Sequence, residues 1–90
     1  MNSQAQYLLA DRLREIRDDL YGEEGGQFLA DALGIPLRTW LNYESGVIVP
    51  AYIVLLLIDM AGVNPHWLLT GQGEKYARRT PDVTQTSKDD

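Results

Sequence analysis

Apolar residues return along the first twenty positions at helical spacing: Leu9, Leu13, Ile16 and Leu20 follow at intervals of four, three and four. Between them stand Asp11, Arg12, Arg14, Glu15, Arg17, Asp18 and Asp19, so a helix from Gln4 to about Tyr21 has one core face and one solvated face. Gly22 ends it, and Gly22 to Gly26 reads as a flexible connection. Phe28, Leu29, Ala32 and Leu33 offer a burial face for a second, short helix over residues 27–33, stopped by Gly34 in the left-handed conformation. Pro36 suits the first turn of a third helix that runs to about Ser45, with Gly46 as its stop. Val47, Ile48 and Val49 precede Pro50 and read as an extended connector, because a residue before proline avoids the helical region.

The stretch from Ala51 to Ala61 is apolar nearly all round, which predicts a fourth helix at the centre of the domain. Gly62 closes it. Asn64 followed by Pro65 is an N-cap with proline at the first helical position, and a fifth helix over residues 65–70 follows, broken by Gly71 and Gly73. Past Tyr76 only Val83 is large and apolar, so residues 77–90 are expected to be a disordered tail behind a single domain over residues 1–76. The pattern is all-α, with five short helices.

At 90 residues and 44% apolar content there is room for one small core. The chain has no cysteine, which removes disulfides, thiolate zinc sites and a cysteine nucleophile. His66 is the single histidine, so neither a metal nor another cofactor is expected. The opening residues carry no basic segment followed by an apolar run, and Pro50 and Asp59 interrupt the apolar stretch between Val47 and Val63. These features predict a cytoplasmic protein without a membrane partner. Asp11, Glu15, Asp18 and Asp19 have no nucleophile or base arranged around them, and Gly71-Gln72-Gly73 lacks the strand–loop–helix setting and later lysine of a phosphate loop. An enzyme is not expected.

Charge narrows the partner. Eight Lys and Arg against thirteen Asp and Glu give a net charge of −5, which excludes a chain that coats nucleic acid nonspecifically. Before residue 77, Arg12, Arg14, Arg17, Arg38 and Lys75 face ten acids, so the whole imbalance belongs to the predicted domain. Between Gly26 and Pro50, however, there are only Arg38, Asp31 and Glu44. The acidity lies mostly on the first helix and the loop after it.

The second and third helices, joined through Gly34, have the content of a helix-turn-helix: Ala30 allows close approach, Gly34 makes the turn, and Ile35 and Trp40 plug the space between. Here the chain resembles the Cro/repressor-like (Xre-type) helix-turn-helix domains, over roughly residues 8–73. The resemblance rests on Leu29-Ala30, Ala32-Leu33-Gly34, Tyr43-Glu44-Ser45-Gly46, Pro50, Ala61-Gly62-Val63-Asn64-Pro65 and Trp67-Leu68-Leu69-Thr70-Gly71. It implies a compact five-helix, lambda-repressor-like fold and a homodimer on a palindromic double-stranded DNA site. Carried over by position, Leu37, Arg38, Leu41 and Asn42 fall where the family reads bases, and Thr39 where it touches phosphate. Glu44 matches a family glutamate paired with an arginine of the first helix, for which Arg17 is the candidate.

Three positions depart from the family. Gly26 stands where a polar, phosphate-contacting residue is usual, Leu37 occupies the first base-reading position, and Val47-Ile48-Val49 replaces a basic connector. Amides of Gly25 and Gly26 at a helix N-terminus offer an anion site, with Glu23 and Glu24 beside it opposing a phosphate. Arg38 can bind guanine or a phosphate and Asn42 can bind adenine, although both residue types are also common on a merely solvated face. Arg38 has no acid four residues away on either side. Trp40, Tyr43 and Trp67 read as core residues before they read as stacking platforms. Leu37 and Leu41 meet thymine methyl groups or another protein. Two functions follow: a DNA-binding transcriptional regulator, or a protein-interaction module that kept the fold without sequence-specific DNA binding. For the dimer surface, the fifth helix around Trp67 and Leu68 is the candidate.

Overall fold

The computed structural model describes residues 3–77, with side chains from Leu8 onward. These residues form five helices: α1 (Ser3–Tyr21), α2 (Gly26–Leu33), α3 (Leu37–Glu44), α4 (Ala51–Ala61) and α5 (Pro65–Thr70). Among the described residues there is no strand, only an isolated antiparallel bridge between Val63 and Tyr76. None of these helices is long and apolar enough to cross a membrane. The chain groups into two units, Met1–Leu56 and Leu57–Asp90. The tail expected from residue 77 lies, beyond Ala77, outside the described residues.

In the first unit α1, α2 and α3 pack on one another pairwise. Leu13 and Ile16 of α1, Leu29 and Ala30 of α2 and Trp40 of α3 are completely removed from solvent. Three members of the expected burial faces, Leu20, Phe28 and Ala32, are exposed instead. Leu20 is exposed at the end of α1, and Phe28 is 64% exposed. Both sit one turn or one position off the stripe that the neighbouring helices cover, and Phe28 instead stacks on Tyr21, with ring centroids 6.2 Å apart.

The α2–α3 connection is three residues long. Gly34 adopts φ 73°, in the left-handed region where a Cβ is strained, and its N–H donates to the carbonyls of α2's last turn. Pro36 precedes α3 as its N-cap, at φ −65° and ψ 150°, one residue earlier than its expected place in the first turn. Its ψ is extended, so its carbonyl, not its ring, opens the helix by accepting from the Trp40 N–H at 3.2 Å.

α4 corrects the sequence reading most. Ile53 and Leu57, four apart, are fully buried, but Tyr52, Leu55, Leu56 and Met60 are exposed. A helix has one buried stripe per covering neighbour, so apolar residues all round do not by themselves place it at a centre.

In the second unit, Asn64 caps α5 by accepting from the His66 N–H at 3.1 Å, while its Nδ2 donates to the Glu74 carbonyl at 2.8 Å. The bridge is completed by the Asn64 N–H on the Lys75 carbonyl and the Ala77 N–H on the Gly62 carbonyl. The Lys75 ammonium lies 5.6 Å from the centre of the Trp67 ring. Trp67 and Leu68, around which a dimer surface was expected, are buried, and Leu69, at 78% exposure, is the apolar residue that α5 presents outward.

Candidate nucleic-acid interface

α3 has eight residues and two unlike sides. Its inward side carries Trp40, Tyr43 and Glu44, all buried, with the two rings edge to face at 6.2 Å. A buried carboxylate needs a charge partner and further hydrogen bonds to be tolerable, and Glu44 has both. Arg17 Nε donates to Oε2 at 2.9 Å and Arg17 Nη2 to Oε1 at 3.2 Å, a two-pronged pair. The Trp40 indole N–H donates to Oε2 at 2.5 Å from one turn back on the same helix. Arg17 Nη1 also donates to the carbonyls of Gly22 and Glu23, which ties the loop after α1 to the same guanidinium. The hydrogen bond to Glu44 raises the Arg17 pKa above its ordinary value, against the opposing pull of burial, so the guanidinium stays charged.

Arg14, one turn before Arg17, donates to the main-chain carbonyl of Glu44 and pairs with Asp11. The sequence placed Arg14 among solvated charges. Its spacing of three from Arg17 was the available signal that both reach the same neighbour, and a cation at the C-terminus of a helix is favoured by the helix dipole. Two arginines of α1 therefore hold the end of α3.

The outward side of α3 presents Arg38, Leu41 and Asn42 to solvent, with Leu37 and Thr39 half-buried at its flanks. Leu41 is 46% exposed. Arg38 makes no ion pair among the described residues, so its five donors remain open to another molecule. The Asn42 main-chain carbonyl accepts from the N–H groups of Ser45 and Val47, which turns the chain out of α3, and the Asn42 residue is exposed. The five residues expected to form a contact surface lie on one short helix, Leu37 to Asn42.

Both glycines of the pair have a packing role, and one of the two amides is already taken. Gly25 and Gly26 are both buried, and the Gly25 N–H already donates to the Gly22 carbonyl at 3.0 Å. A Cβ on Gly25 would come within 2.2 Å of the Tyr21 Cβ and 2.5 Å of its carbonyl oxygen. The residue is glycine because α1 and α2 meet there, and its amide is withdrawn from anion binding. At Gly26 a Cβ would approach Leu37 Cδ1 to 3.2 Å, so this glycine lets α3 close on the start of α2. Beside it lies an open hollow of about 460 Å³, lined by Leu37 and Leu41 together with Arg17, Glu23, Glu24, Gln27 and Glu44.

Comparison with family models, curated proteins and solved structures finds no match to this chain.

Proposed function

We propose that this chain is a non-enzymatic, DNA-binding transcriptional regulator of the helix-turn-helix kind, with α3 as the helix that enters the major groove. The observation that carries the reading is the division of α3. Trp40, Tyr43 and Glu44 lock one side into the first unit, while Arg38, Leu41 and Asn42 stand out on the other. A rigidly held helix with a polar fork, an amide and apolar groups on its outer side meets the requirement for reading base edges. Arg38 and Asn42 supply hydrogen bonds to bases, Leu37 and Leu41 supply apolar contact, and Thr39 contacts the backbone. Acting as a homodimer, the protein places two such helices about 34 Å apart on a two-fold related site. Glu23 and Glu24 beside α2, and the withdrawn Gly25 amide, leave few phosphate contacts. Nonspecific affinity is therefore weak and the salt slope shallow, since each neutralised phosphate adds about −0.9 to it.

The test is selection of bound duplexes from a random pool, then titration at two salt concentrations. Enrichment of a palindrome whose binding is lost in Arg38→Ala supports the reading. Absence of any enrichment at low salt, from a folded dimer, sinks it. A second reading, a protein-interaction module, is favoured by one observation: Val47, Ile48, Tyr52, Leu55 and Leu56 of the first unit are exposed apolar residues within ten positions. Dimerisation lost in a Leu55 variant without any duplex enrichment is the result that favours it.

A further inference from the structure

Leu37 and Leu41 are four residues apart, hence on the same side of α3, and both line the hollow next to Gly26. A Cβ at Gly26 would lie 3.2 Å from Leu37 Cδ1, 3.7 Å from Trp40 Cδ1 and 3.8 Å from Leu41 Cδ2. A methyl group of each leucine thus lies close to the backbone of α2 at Gly26, where no side chain intervenes. Neither side chain can give or take a hydrogen bond. Set against the major-groove edge of guanine, adenine or cytosine, each would leave a donor or acceptor unpaired and dry. Only thymine presents an apolar group there, its C5 methyl.

Resting on the DNA-binding reading, we infer that the bases facing Leu37 and Leu41 are thymines, recognised by their C5 methyl groups. Arg38 and Asn42, one position further on in each case, read the adjoining polar edges.

The experiment takes the duplex enriched from a random pool and replaces each thymine in turn by uracil, which removes the methyl group and keeps the pairing with adenine. Two positions per half-site are expected to lose about fourfold in affinity each, the value of one buried methyl group, with the remaining thymines insensitive. In Leu41→Ala, checked by thermal melting to be folded, one of the two sensitivities disappears and the other stays. Leu41→Val retains both. A duplex bound with sequence preference, yet unchanged within twofold when every thymine is uracil, overturns the inference while leaving the DNA-binding reading intact. Failure to enrich any duplex overturns both.

Discussion

Half of α3's eight residues are polar, yet it buries Trp40, Tyr43 and a carboxylate; α4, apolar apart from Asp59, leaves Tyr52, Leu55, Leu56 and Met60 in solvent. The difference is one of partners, not of composition. α3 packs against both α1 and α2, and its one buried charge is met by Arg17 and by Trp40. In α4 only the Ile53 and Leu57 stripe is fully covered. Burial follows the period at which a neighbour meets the helix, and the remaining apolar positions are left over for another molecule or for none.

This contrast can be broken at its strongest point first. Glu44→Ala leaves the Arg17 guanidinium beside an empty site and the Trp40 N–H unsatisfied, and is expected to destabilise by about 3–5 kcal/mol. For a domain of this size that lowers the melting temperature by more than 10 °C, roughly 4–8 °C per kcal/mol, as a thermal melt reads directly. Leu57→Ala empties a fully buried position and should cost about 2–5 kcal/mol in denaturant unfolding. Next comes Gly25→Ala, where the new Cβ meets backbone as well as side chain of Tyr21; overpacking of this kind costs about 1–3 kcal/mol. Smallest is Leu55→Ser. At 63% exposure its unfolding midpoint should stay within about 0.5 kcal/mol of the parent, although its neighbour two positions on is among the most sensitive in the chain. A Leu55→Ser loss as large as that of Leu57→Ala would mean that α4 is covered on both sides.

The helix limits were legible where capping chemistry is local. Asn64-Pro65 marks the start of α5, and Gly34 and Gly62 close α2 and α4 at φ 73° and 71°. The pairing of Arg17 with Glu44 was legible only through the resemblance of Tyr43-Glu44-Ser45-Gly46 to a family pattern, because 27 residues separate the partners. Leu37, Arg38, Leu41 and Asn42 were placed on an outer side through the same resemblance; Arg38, Leu41 and Asn42 are exposed, and Leu37 is half-buried. Contacts between distant segments were not legible. The Gly25 amide looked open because nothing local shows Tyr21 packing over it or Gly22 accepting its proton. Arg14 looked solvated because its acceptor is the main-chain carbonyl of Glu44, which no side-chain pattern reports. The Val63–Tyr76 bridge likewise pairs two short segments without any alternating run to announce a strand.

The central claim, that α3 is the helix that meets DNA, is tested most directly by mapping backbone amide shifts of the labelled protein on titration with the duplex enriched from the random pool. The account predicts that the largest changes fall on Leu37 to Asn42 and the adjoining Gln27, and that Arg38→Ala removes them without altering the melting temperature by more than a few degrees. Shifts confined to Tyr52, Leu55 and Leu56, or no shifts at any ratio of duplex to protein, would contradict it.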